Sequence, residues 1–382
     1  MKQGSFTGRE LQSRILSVCK AIDERIPPFV AAEIVDLRSV PVGEISFLLS
    51  LSKLTGAKSS FEKFANYFSH YSSARASKRD FYSLQSSSAL VVALGLANER
   101  DSASPFSEFV SVSNLNLRDA FSSTSKSNLD YLYGRLGAAY LSLLCKDSES
   151  VPMIHEILAH LRNHASAYCY PLHEFSRSWA RENPVTSEVD LGIPHGNAGL
   201  LTVLSYAARN GVPFTAADLD LIKQIAYRIV ATRGKGSSMY PYKLDGECNT
   251  RIGWCYGDLS IAIGLGNIYA LTKDHVLLQE IAEITAGIEK RIEPNFVLED
   301  PFLCHGSGGL LMALTFLSDI GVPIRSDFVE SVAIGTVSQI ETLLEKEIDV
   351  PTDILNGLTG IGLCLISYAG TGESHWRRLF FM

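Results

Sequence analysis

With 382 residues, 46% of them hydrophobic and only 20% charged, the chain can bury a large core and exceeds the usual size of a single compact domain. A formal net charge of −7 without any clustered basic stripe argues against a nucleic-acid partner. No basic-then-apolar leader opens the sequence and no apolar run is long enough to span a bilayer, which leaves a cytoplasmic protein, with peripheral membrane association at most, as the expectation. The seven cysteines are odd in number and scattered; in a reducing compartment such residues are metal ligands or buried hydrophobes more often than disulfides.

In chain order, one pattern recurs: a glycine, two residues, a second small residue, then an apolar helical run. A degenerate copy at Gly43 to Ser46 opens the series, and a weaker one follows around Ser86 to Ala89. Clear copies stand at Gly134 to Gly137, Gly196 to Gly199, Gly257 to Ser260, Gly306 to Gly309 and Gly357 to Gly360. Seven units of about fifty residues each are the mark of a helical repeat array. Between the markers lie more polar stretches with helical periodicity. Asp218 to Ala231 carries apolar residues at Leu219, Ile222, Ile225, Ala226 and Ile229, and Thr215 with Asp218 forms a capping-box pair ahead of it. Val276 to Ile292 and Phe328 to Leu344 read the same way.

An amphipathic helix has one wet face, whereas an all-apolar helix is buried all round. Seven pairs closed in a ring therefore predict an all-α fold, an α/α toroid with an inner barrel of apolar helices and an outer ring of amphipathic ones. The whole chain, 1–382, is expected to form one such domain, with its clearest repeats over 130–370. The stretch Ser102 to Asn128, rich in serine and asparagine, is expected to be a loop or an exposed connection. Tyr168 to Leu191, with two prolines and several aromatics, is expected to be a lid facing the substrate.

The residues just before the marker glycines are Tyr133, His195, Tyr256, His305 and Asn356. In a toroid they gather at one rim. Cys255 lies in the same segment as Tyr256, and Cys304 immediately precedes His305. Two thiols and an imidazole are the donor set Zn²⁺ prefers, and the cysteines are too far apart in sequence for a zinc finger. Three ligands from distant segments suit a catalytic site, in which a fourth position takes water or substrate.

The run Arg251 to Gly257 (R-x-x-W-C-Y-G), the C-H-G at Cys304 to Gly306, the H-G-x-x-G at His195 to Gly199 and an ending with Trp376, Arg377 and Leu379 together resemble the lanthionine synthetase C-like family, the lantibiotic cyclases. The resemblance covers most of the chain. It implies a seven-fold α/α toroid with a central zinc ion, and an enzyme that adds cysteine thiols of a precursor peptide to dehydroalanine or dehydrobutyrine, closing thioether rings. Carried over by motif, Cys255, Cys304 and His305 are the zinc ligands and His195 the acid/base residue. Asp130 matches the acid of the family's D-x-x-x-G, and Arg251 and Tyr256 match further active-site positions. A dehydrated precursor peptide and a separate dehydratase are the implied partners. Two other readings stand beside this one: addition of a free thiol such as glutathione to dehydrated residues, and a non-catalytic zinc-containing scaffold that holds peptide for a dehydratase. A scaffold would need neither His195 nor Asp130. The remaining histidines (His155, His160, His164, His173) and cysteines (Cys19, Cys145, Cys169, Cys248, Cys364) are read as structural. Ser260, in place of the second marker glycine, is expected to alter packing only.

Overall fold

The computed structural model describes residues 8–27, 40–73, 84, 86–96, 106–126, 128–163, 189–292, 298, 300–346, 348–370 and 375–382. Over these the chain is a closed α/α toroid. Its inner helices are α2 (Val42–Thr55), α4 (Ser87–Ala93), α6 (Arg135–Leu144), α8 (Asn197–Arg209), α10 (Gly257–Thr272), α12 (Ser307–Asp319) and α14 (Leu358–Tyr368). The outer ones are α1 (Gly8–Arg25), α3 (Lys58–Ser73), α5 (Ser107–Ser123), α7 (Ser150–Asn163), α9 (Ala216–Ala231), α11 (His275–Ile292) and α13 (Ser326–Glu345). Each inner helix packs on the next, and α14 packs back on α2 to close the circle. Among the described residues no helix is long and apolar enough to cross a membrane.

The two helix types follow from composition. Every residue of α10 from Gly257 to Tyr269 is buried, as an apolar helix enclosed on all sides requires. The outer α11 instead buries Leu277, Ile281, Ile284, Ile288 and Ile292, one stripe at spacings of three and four. Helix α9 starts with the expected capping box: the Thr215 hydroxyl accepts the Asp218 backbone N–H, and the Asp218 carboxylate accepts that of Thr215. At the weak second marker, the Ser86 side chain caps α4 by accepting the Ala89 N–H.

One expectation is corrected. Much of Ser102 to Asn128 is not a loop but helix α5, which buries Phe109, Val110, Ser113, Leu117 and Phe121 between α4 and α6. These positions form a helical stripe, and the serines and asparagines that obscured it supply the polar remainder of the helix. Residues 168–188 of the expected lid, and Cys169, His164 and His173, lie outside the described residues. His155 and His160 fall on the outer helix α7, and Cys19, Cys145, Cys248 and Cys364 are buried. Burial pushes the Cys19 thiol up to about 12, which keeps it a protonated core side chain.

Closure draws on both ends of the chain. Among the described residues no outer helix follows α14, and α1 packs against α13 and α14. Arg14 makes a two-pronged ion pair with Glu341, its Nη2 at 2.5 Å and its Nε at 3.1 Å from the carboxylate, and Arg25 donates to the Leu344 and Ile348 carbonyls. The opposite end fills the middle of the ring. The 3₁₀ turn His375–Phe380 packs on α4, and inner-ring side chains satisfy the tail's carbonyls. The Tyr131 hydroxyl donates to Leu379 O, Tyr140 to Arg378 O, Trp254 Nε1–H to Phe380 O and Asn267 Nδ2 to Phe381 O. Tyr131 adjoins Asp130 and Trp254 adjoins Cys255, so the tail braces the segments that carry the candidate site.

Candidate active site

The site is built from the loops that enter α6, α8, α10, α12 and α14. Backbone hydrogen bonds stitch these loops together around the rim. Tyr131 N donates to Pro194 O at 3.0 Å, Ile193 N to Cys255 O at 3.2 Å, Cys255 N to Cys304 O at 3.3 Å and Cys304 N to Leu355 O at 2.9 Å. Where the second marker residue is Ser260, its hydroxyl accepts Ile193 N–H and donates to Cys255 O, a bridge glycine cannot make. The marker glycines are required by close approach. At Gly309 a Cβ would run into the Leu303 carbonyl, and Gly257, at φ +75°, has Arg251 O 2.7 Å from where its Cβ would sit.

Four of the loops share an acid that the marker pattern does not contain. The Oδ1 atoms of Asp130, Asp190, Asp300 and Asp353 accept the backbone N–H groups of Tyr133, Gly192, Phe302 and Leu355 at 2.7 to 2.8 Å, each shaping its turn. In Asp130 and Asp300 the second oxygen, Oδ2, faces a histidine Nδ1.

On one side stand the sulfurs. The Cys255 and Cys304 side chains are near enough to act on each other's ionisation. The two are unequal: interaction with Cys304 and the charge of His305 hold Cys255 below the usual thiol range, while interaction with Cys255 and burial push Cys304 up. His305 Nδ1 lies 3.0 Å from Asp300 Oδ2, and this bond, together with the charges of Asp300 and Cys255, raises the imidazole against the opposing effects of burial and Arg251. Arg251 itself is exposed at the rim, with its backbone N–H donated to the Tyr242 hydroxyl.

Among the described residues no three His, Cys, Asp or Glu side chains are placed so as to hold a metal ion. The donor chemistry nevertheless fits Zn²⁺. Two thiols act on each other's ionisation, an imidazole acts electrostatically on one of them, and its Nδ1 is tied to a carboxylate, the arrangement that orients metal-ligating histidines.

On the other side stands an acid–base group. His195 Nδ1 lies 2.5 Å from Oδ2 of Asp130, which is only 4% exposed. Burial lowers the His195 pKa, but the hydrogen bond and charge of Asp130, aided by Asp190 and Cys255, outweigh it and raise the imidazole above its ordinary value. The Tyr133 ring lies parallel to the imidazole, 3° between planes and 6.2 Å between centroids, and Tyr256 stands 6.4 Å away on centroids. Burial pushes the Asp190 carboxyl up to about 6, against the opposing effects of the Gly192 N–H, His195 and Tyr256. The rim therefore brings together Cys255, Cys304, His305, His195, Asp130 and Tyr256, with Arg251 at its edge. Asn356 is exposed, its N–H held by Asp353.

Two comparisons bear on this arrangement. The sequence pattern of the lanthionine synthetase C-like protein family matches residues 36–381. The chain belongs to this family. Among solved structures it is similar to nisin cyclase, with a TM-score of 0.73 and 18% identity over 98% of each chain. That likeness agrees with the all-α toroid. A possible member of the GH105 family from Salmonella enterica subsp. enterica serovar Paratyphi A str. ATCC 9150 aligns at a TM-score of 0.45 and 12% identity, over 91% of this chain and 97% of that one, too remote to carry an argument. A search of curated proteins returned no match.

The sequence reading missed Asp190 and Asp300. Their signal was present: in the His195 and His305 units of this lanthionine synthetase C-like chain, an aspartate stands five residues before the histidine, at Asp190 and Asp300.

Proposed function

We propose that the chain is a zinc-dependent lanthipeptide cyclase that adds cysteine thiols of a dehydrated precursor peptide to dehydroalanine or dehydrobutyrine, forming (methyl)lanthionine rings. The observation that carries this reading is the joining, at one rim of a lanthionine synthetase C-like ring, of a two-thiol and imidazole group with a buried His–Asp couple. The name of its structural relative, nisin cyclase, agrees with it. The couple also favours an enzyme over a scaffold.

Cys255, Cys304 and His305 are the residues that would hold the ion. Bound there, Zn²⁺ supplies Lewis-acid activation of a substrate thiol, whose ordinary pKa of about 8.5 leaves it mostly protonated at neutral pH. The substrate sulfur forms its new bond to the β-carbon of the dehydrated residue, and the alkene π pair moves toward the α-carbon and its carbonyl as an enolate. Arg251 and the N-terminal ends of the inner helices present positive charge where that negative charge grows. His195, kept protonated by Asp130, donates to the α-carbon and recovers a proton from the incoming thiol. Thiol and alkene thus become a thioether with every atom conserved. The dehydrated residues come from an earlier dehydration of serine and threonine, which we assign to a separate dehydratase.

Because ring closure leaves peptide mass unchanged, the test counts thiols. Dehydrated, cysteine-bearing peptide is incubated with the protein, alkylated and analysed by mass spectrometry. Thiols should become protected only when the protein is present. Equal alkylation with and without it would remove the cyclase reading, and capture of added glutathione instead of ring closure would move the assignment to intermolecular thiol addition.

A further inference from the structure

The two halves of the site stand on loops that are not neighbours. Asp130 lies in the loop entering α6 and Cys255 in the loop entering α10, with the α8 loop and its His195 between them. Around the rim they are joined through that middle loop, by the bonds from Tyr131 N to Pro194 O and from Ile193 N to Cys255 O.

The tail joins them a second time, and directly. Two successive carbonyls each take a side-chain donor from a different loop: the Tyr131 hydroxyl donates to Leu379 O at 2.5 Å and Trp254 Nε1–H to Phe380 O at 3.1 Å. One donor is the residue after Asp130, the other the residue before Cys255. All four partners are buried, where a donor left unmet costs more than a made bond contributes. The Tyr131 ring packs on Phe381 at 4.5 Å between centroids, and the Trp254 indole meets Phe380 edge-on at 5.2 Å. The middle unit is tied in as well: Asn267 of α10 donates to Phe381 O and accepts Arg209 Nη2 of α8.

Apolar packing is non-directional, so it fills the ring without fixing how a loop is turned. A hydrogen bond from a buried ring is directional and does fix it. Ring closure makes that turn matter. The S–C bond forms at the β-carbon and the proton arrives at the adjoining α-carbon, so the groups that present sulfur and proton need one set separation. A misplacement of about 1 Å can cost about 10²-fold in rate. We propose, resting on the cyclase reading, that Leu379–Phe380 is a positioning strap, with Tyr131 and Trp254 as its positioning residues: together they hold the His195–Asp130 couple at a fixed distance from the Cys255–Cys304 pair.

The experiment has two arms. The first needs no catalysis. Hydrogen exchange of the Trp254 indole N–H, its resonance assigned through contacts with the Phe380 ring, reports the bond to Phe380 O. If both bonds share one strap, Tyr131→Phe should speed this exchange about threefold to tenfold, the effect of one hydrogen bond; unchanged exchange would overturn the strap. The second arm measures ring closure and melting temperature. Tyr131→Phe and Trp254→Phe each keep a ring and lose a donor, and each should lower kcat about tenfold to a hundredfold with KM within about twofold. The double variant should lose less than the product of the two, because either change alone releases the strap. Tyr140→Phe removes a donor to the same tail, at Arg378 O, from within α6 and with no site residue beside it. It should lower the melting temperature comparably and leave kcat unchanged. Unchanged kcat in Tyr131→Phe, or effects that multiply in full, would overturn the proposal. So would an equal loss of kcat in Tyr140→Phe, which would reduce the tail to general stabilisation. Tyr131→Phe removes only an oxygen, so its exchange, kcat and KM remain decisive should Trp254→Phe fail to fold. A wild-type protein that closes no ring sinks the cyclase reading alone, and the exchange still decides whether one strap joins the two loops.

Discussion

The two histidines of the rim come from the same local pattern and end in different places. In both units an acid precedes the histidine by five residues and a glycine follows it, as Asp300, His305, Gly306 and as Asp190, His195, Gly196. His305 is held inside its unit by Asp300, whereas His195 is held by Asp130, in the preceding unit, 65 residues earlier. A residue oriented within its own turn is set by local geometry. A residue oriented across two turns is set only when neighbouring inner helices are packed and their loops stitched. The sulfur side of the site is in this sense partly local, and the acid–base side is a property of the ring.

The sharpest break of this comparison is on the sulfur side. Cys304→Ala should lose the metal and reduce ring closure to background while helicity by circular dichroism stays near wild type, since the ligand contributes little to the core. His195→Ala should instead keep the metal and slow closure by roughly 10²- to 10⁴-fold, the usual worth of an acid–base group; unchanged turnover would take His195 out of the mechanism. Asp300→Asn leaves the donors in place but weakens the orientation of His305, and metal affinity measured by chelator competition should fall by roughly 10- to 100-fold.

Asp130→Asn tests the cross-unit pair by pH. Asp130 raises the His195 pKa, so the imidazolium present at low pH persists to a higher pH and is lost as pH rises through the raised value. Removing the carboxylate's charge should therefore move the alkaline fall of the rate to lower pH. A profile that stays put would break the pairing. The smallest effect is expected far from the rim. Thr215→Ala removes the α9 cap and should lower stability by about 1 kcal/mol with ring closure unchanged. Asp218 is depressed, despite burial, by Thr215 and by Arg162; a depressed acid stabilises above its unfolded pKa and loses that stability as pH falls through the folded value. The wild-type and Thr215→Ala stabilities should therefore converge in acid.

Much of this architecture was legible in the residues, for identifiable reasons. Gly199, Gly309 and Gly360 sit where a Cβ would strike the carbonyl of the residue six positions earlier, so glycine marks those helix entries in the sequence. The apolar runs of α10, α12 and α14 report burial on every side. Helix α5 was hidden because its polar positions are serine and asparagine, residues that also favour turns. Closure by α1 could not be read, because Arg14 and Glu341 are 327 positions apart and nothing local pairs them. For the same reason the tail's place was illegible: Trp254 and Phe380 meet only after the ring exists. Asp190 and Asp300 were legible in principle, but the repeat had been aligned on its glycines, and an acid outside that frame carried no mark.

The central claim is that Cys255 and the adjacent pair Cys304 and His305, far from it in sequence, share a single zinc ion. X-ray absorption at the zinc edge, with metal content measured on the same purified sample, tests it most directly. One zinc per chain, with two sulfurs and an imidazole nitrogen in its inner coordination sphere and no zinc in Cys304→Ala, is the expected result. Protein that binds no zinc when supplied with it, or zinc coordinated without sulfur, would contradict it.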